Sequence, residues 1–206
     1  MFHPIMTLAR SSRIAAVAGL AMLGAAVAMP DAQADEKIQF KMVRSQTLPK
    51  ACAPHARATV TVKSLGFAEQ MTISATGLPA RTEFDAFVIQ VPNFPFGVSW
   101  YVGDLETNWR GEAKKTFVSR FSRETFAVAP NAAPAPGVHK GDAKVNPAFK
   151  PIHTFHIGIW FNSPKDAKRA GCPDVVTPFN GEHNAGPQIL STRNFRDGHG
   201  PLGRVF

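Results

Sequence analysis

The run His153-Thr154-Phe155-His156-Ile157-Gly158-Ile159-Trp160-Phe161-Asn162 reads as a strand with apolar groups on both sides. Period-two alternation puts Phe155, Ile157, Ile159 and Phe161 on one face and His156 with Trp160 on the other. Such a strand is stable only when both faces are covered, which predicts a central place in a layered fold. A short helix is predicted directly after it, over 164–170. Ser163 is a good N-cap, Pro164 suits the first helical position, Asp166 favours the positive end, and Gly171 can close the far end. Cys172 follows at once.

Residues 1–34 read as a secretory signal peptide. Arg10 and Arg13 precede a small-residue apolar stretch over 14–27, and Ala32-Gln33-Ala34 before Asp35 has the form of a cleavage site. The apolar run is too short to span a bilayer, no Arg-Arg pair marks the twin-arginine route, and no cysteine follows it to take a lipid. The expected product is a secreted or periplasmic protein of residues 35–206, with no transmembrane segment after cleavage. That length suits a single domain with a sizeable core.

Two of the 23 basic and one of the 15 acidic residues fall in the leader, so the mature charge is +7. The basic residues are scattered, and no basic run is interleaved with stacking aromatics, which argues against nucleic acid as a partner. An envelope polysaccharide or another anionic surface component is the partner that the charge suggests. Cys52 and Cys172 are the only cysteines, and in an exported chain without metal-type spacing they are expected to form one disulfide. Closing a loop of that length is worth about 4 to 5 kcal/mol in the chain-entropy picture.

Between the leader and the central strand, short segments alternate. In 58–64, Thr59, Thr61 and Lys63 oppose Val60 and Val62. In 69–76, Gln70, Thr72 and Ser74 oppose Met71, Ile73 and Ala75, so the two segments predict a hairpin with one wet face. Residues 84–91 are apolar on both faces, 98–104 form a further segment, and 105–107 with 112–121 predict a second hairpin about the turn Asn108-Trp109-Arg110-Gly111. A further strand is expected over 124–128. About seven to nine strands in all predict an all-β fold, an antiparallel two-sheet sandwich with one short helix and long surface loops. The proline-rich stretch 129–151 is expected to be a surface crossover, and the glycine-rich tail from Arg193 onward to be loose.

Leu78, Pro79, Thr82, Phe84 and Val88 resemble the Leu-x-Pro-x-Thr-x-Tyr-x-x-x-Val pattern of fibronectin type III and related immunoglobulin-like sandwiches. Pro79 stands one place early, and Phe84 stands where that pattern has its tyrosine. The resemblance implies an immunoglobulin-like sandwich of the kind found among exported bacterial proteins, and it carries no functional residue across.

Complete catalytic sets are missing from the sequence. Glu182-His183 has acid-base character, but adjacent side chains seldom face one another, and no nucleophile elbow accompanies them. Aromatics with Asn and Glu form the composition of a sugar-binding patch, in which rings stack on pyranose faces and polar groups hold the hydroxyls. Candidate ligand-binding residues are Phe94, Phe96, Trp100, Tyr101, Asp104, Trp160, Asn180, Glu182, His183 and Asn184, with the 100–101 and 180–184 regions on one surface. A non-catalytic binding or envelope-associated module follows as the expected class.

The competing class is a small metal-dependent enzyme using His153 or His156 with His183. Residues three apart on a strand face opposite sides, so His153 and His156 cannot chelate one ion together, and no cofactor is expected. The leader generates the first prediction: intact-mass analysis of exported protein gives an N-terminus at Asp35, and any other mature start would refute the cleavage assignment.

Overall fold

Side-chain alternation resolves into a ladder of long strands: β1 (Lys37–Arg44), β2 (Arg57–Ser64), β3 (Glu69–Thr76), β4 (Glu83–Ile89), β5 (Ser99–Glu106) and β6 (Ala113–Ser119). Later come β7 (Phe126–Ala127), β8 (Ile152–His153), β9 (His156–Phe161), helix α1 (Pro164–Arg169), β10 (Thr177–Asn180), β11 (His183–Ala185) and β12 (Gln188–Ser191). The computed structural model describes residues 37–122, 125–127, 152–180 and 183–205. The expected leader, the whole of the expected proline-rich crossover and Glu182 lie outside the described residues. All described residues fall in one unit, Ala34–Phe206. No helix among them is long and apolar enough to cross a membrane.

The fold is all-β and antiparallel, with one short helix. Eight strands are hydrogen-bonded in the order β5-β4-β9-β12-β1-β2-β3-β6, and β7-β8 and β10-β11 form two small separate pairs. The layers are thus opposite walls of one curled sheet around a common interior. Every wall contributes to that core: Phe40 and Met42, Val60 and Val62, Met71 and Ile73, Phe84 and Val88, Leu105, Ile157 and Ile159, and Ile189 are buried together. Strands β2 and β3 pair as the alternation predicts, with Val60 opposite Ile73 inside and Thr59 opposite Ser74 outside.

The second expected hairpin differs. Its turn forms: Asn108 Oδ1 accepts from the amides of Arg110 and Glu112 at 2.8 and 3.1 Å, and the Asn108 amide donates to the Glu112 carbonyl. The strands then diverge, because β5 takes β4 as its partner and β6 takes β3. Side chains fill the seam instead of a ladder. The Phe117 ring lies so close to Gly103 that a Cβ there would sit 2.5 Å from it, and Trp100 stacks on Phe121 at 5.7 Å.

Strand β9 is central, between β4 and β12, and all six of its residues are buried. It begins at His156; Ile152 and His153 form the separate strand β8. Ile157, Ile159 and Phe161 enter the main core, while Trp160 joins Phe87, Ile89 and Ala185 in a second cluster on the outer face. Helix α1 follows with the expected cap, Ser163 Oγ accepting from the Asp166 amide at 3.2 Å. The Cys172 amide then donates to the Ala167 carbonyl at 2.9 Å, which brings Cys172 to its disulfide with Cys52. Arg44, at the end of β1, donates to the carbonyls of Cys52 and Leu48 at 2.9 and 3.0 Å and holds that loop against the sheet.

The tail is packed, contrary to the loose segment expected from its glycines. Pro201–Arg204 forms a 3-10 turn whose Leu202 is 0 % exposed, and Val205 is buried beside it. Glycine makes the approach feasible: a Cβ at Gly200 would fall 2.0 Å from the Phe155 carbonyl oxygen. The Leu202 amide donates to that same carbonyl at 3.1 Å. Two buried apolar side chains outweigh the flexibility of the surrounding glycines. Leu202→Ala is therefore expected to cost about 2–5 kcal/mol in urea unfolding, and a change below about 0.5 kcal/mol would show the tail to be detached.

Candidate binding surface

The outer face of β4 and β9 carries a line of aromatic rings. Phe87 on β4 and Trp160 on β9 point outward by alternation and meet edge to face at 5.6 Å. Phe96 covers Trp160 at 4.9 Å, and Phe94 meets Phe96 at 5.9 Å. At the other end Tyr101 contacts Phe87 at 5.6 Å. The loop after β4 is pinned by the Gln90 amide to the Val98 carbonyl at 2.9 Å and by the Val91 amide to Phe96 at 3.1 Å. Gly97, at φ 70°, makes this loop feasible, since a Cβ there would lie 2.3 Å from Gln90 Oε1. Phe96 is thereby turned down onto Trp160 while Phe94 stays 77 % exposed.

Phe94 and Phe96 form one wall of a groove of about 260 Å³. Pro173, Val175, Val176 and Pro178 form the opposite wall, on the segment leaving the disulfide, with Pro187 and Thr47 completing it. Val175 and Val176 are exposed. Sequence reading missed this wall. Its only signal is two adjacent valines between prolines, which carry neither a helical nor a strand period.

The ten candidate ligand-binding residues separate. Phe94 and Phe96 come together in the groove. Trp160 is 0 % exposed and supports the groove from beneath, so it offers no free face to a sugar. Trp100 and Tyr101 are neighbours in β5, and alternation sends them to opposite faces. Trp100 packs towards the main core and donates to Thr154 Oγ1 at 3.3 Å, whereas Tyr101 is 51 % exposed on the outer side. The Tyr101 hydroxyl donates to Asp104 at 2.5 Å. Residues three apart share a face here because the ladder shifts register between Ala86 and Phe87.

The 180–184 region belongs to the paired strands β10 and β11, in which Asn180 pairs with His183 and Asn184 with Pro178. Asn184 is exposed. Glu182 lies outside the described residues, as do the side chains of Asn180 and His183. Trp100 therefore does not share a face with the groove, whereas Tyr101 joins it through the ring line.

Two histidines of the metal alternative, His153 and His156, make other contacts. His153 stacks on Phe155 at 5.0 Å, and His156, 0 % exposed, shares a 3.0 Å hydrogen bond between Nδ1 and Thr192 Oγ1. Among the described residues no three of His, Cys, Asp and Glu converge as a metal-binding group. Comparison with known proteins finds no matching family model, curated protein or solved structure.

Burial raises the pKa of Tyr101 well above its ordinary 10.0, and the hydrogen bond and charge of Asp104, with the charge of Asp85, push in the same direction. The neutral phenol is thus favoured in the folded state. Its stabilisation is complete below the unfolded pKa and is lost as pH rises through the folded one. Tyr101 is the only tyrosine, so absorbance near 295 nm reports it alone. The expected outcome is a midpoint above 10.0 that falls towards it in Asp104→Asn; a midpoint unmoved by that change would contradict the contact.

Proposed function

We propose that the protein is an exported, non-catalytic binding module of the cell envelope whose ring-lined groove holds the carbon face of a carbohydrate chain. The observation that carries this reading is Phe94, exposed and yet held edge to face on Phe96, whose ring in turn covers the buried Trp160. A ring held in one orientation stacks on a sugar with little further loss of conformational freedom, which favours binding. Thr47 and Thr177 add hydroxyls at the groove edge. The Cys52–Cys172 disulfide supports export, because such bonds persist in oxidising compartments.

Trp160 lies directly beneath Phe96, so a sugar entering the groove is expected to shift tryptophan emission. A panel of neutral oligosaccharides titrated against this signal, backed by a glycan array, should identify a ligand. Phe94→Ala should then weaken it by roughly tenfold, about 1.4 kcal/mol, without altering the melting temperature. If no sugar moves the emission, or if Phe94→Ala binds as the parent does, the reading fails.

A further inference from the structure

Cations that are scattered in sequence meet on one face of the sheet, away from the groove. The outward positions of β1, β2, β3 and β6 are set by continuous register, so their side chains fall into rows across four strands. Lys37 lies opposite Lys63, Lys41 opposite Thr59, and Arg57 beside Val43, while Lys114 shares the Lys41 row through Ser74. The middle row is Gln39, Thr61, Thr72 and Thr116. No Asp or Glu occupies any outward position on these four strands. The face thus presents five cations among hydroxyl and amide groups.

Four further features make this face more than a solvated surface. Lys37 and Lys63 are directly opposed across an antiparallel ladder, an arrangement that repels and that a bound anion relieves. None of the five cations takes part in an ion pair among the described residues. The face also holds a depression of about 530 Å³, lined by Lys41, Arg57, Thr59, Ser74 and Thr76. Hydrogen bonds order its middle row: Gln39 Nε2 donates to Thr61 Oγ1 at 3.1 Å, and the Thr72 and Thr116 hydroxyls are 2.9 Å apart.

We propose that this face docks an acidic polysaccharide, its carboxylates on Lys41, Arg57 and Lys114 and its hydroxyls on the threonine row. Lys41 and Lys114 are three strand spacings apart, about 14 Å, so an extended chain crossing the strands can reach both. The absence of rings from the face disfavours single-stranded nucleic acid, which binds by stacking. A lipid surface is disfavoured because insertion needs bulky apolar side chains, and the face offers only Val43 and Val118. Charge and hydroxyl density together fit a hydroxylated polyanion.

The test is titration of the purified protein with sodium alginate at low ionic strength, beside neutral dextran and phosphatidylglycerol vesicles. Alginate should bind, and weaken steeply as salt is added, while any dextran held in the groove should be insensitive to salt. Lys41→Glu/Arg57→Glu should weaken alginate at least about tenfold with the melting temperature unchanged, whereas Lys165→Glu/Lys168→Glu, an equal charge change on α1, should not. If the first variant is unstable, Lys41→Gln/Arg57→Gln is measured in its place. Phe94→Ala should bind alginate as the parent does, so failure of the groove reading leaves this result standing. Equal losses in both double variants, dextran binding as salt-sensitive as that of alginate, or binding of vesicles without alginate would overturn the proposal.

Discussion

Strand β9 exists only because both of its faces are covered, and the rest of the molecule is arranged to cover them. Ile157, Ile159 and Phe161 complete the interior of the curled sheet, and Trp160 needs a second cluster on the outside. Fully burying four large side chains contributes on the order of 10 kcal/mol, comparable with the whole net stability of a domain. Leaving either face open would remove much of that. The loop carrying Phe96 and the short strand β11 with Ala185 are the cover on the outer side, and the groove is a consequence of that cover. The candidate binding surface is thus made from the same packing that stabilises the central strand.

The disulfide connects this arrangement to the first strand. Cys172 leaves α1 at a position set by a backbone hydrogen bond, and the wall residues Pro173, Val175 and Val176 follow it directly. Cys52 is held in turn by Arg44 at the end of β1. Lys41 and Val43, on that same strand, reach the cationic face on the outer surface. Groove and cationic face are therefore two surfaces of one covalently closed frame.

Several elements were legible from local chemistry alone. The β2-β3 hairpin follows from strict alternation of valine and threonine, α1 from a serine cap with proline behind it, and the disulfide from the lone cysteine pair. Failures occur where the deciding contact is distant. The turn at Asn108 is local and forms as expected, but the pairing of β5 and β6 was decided by their ladders with β4 and β3. Trp160 looked like a binding ring because its cover comes from Phe96, far away in sequence. The tail looked loose because two buried side chains count for little against seven glycine or charged residues until the core that receives them is known.

The class of the fold, the central strand, the helix cap and the cysteine bond depend on alternation, capping and residue type over short spans, and so were legible along the chain. Residue type also placed Phe94 and Phe96 among the binding candidates. Which rings are exposed, which wall faces Phe94, and where the charge collects are set by packing between distant segments. Lys37, Lys41, Arg57, Lys63 and Lys114 are dispersed over nearly eighty positions, and a linear reading sees no cluster among them. The physical reason is register: a strand sends alternate residues to one face, and antiparallel pairing sets distant residues about 5 Å apart, so a charged surface emerges from positions with no proximity along the chain.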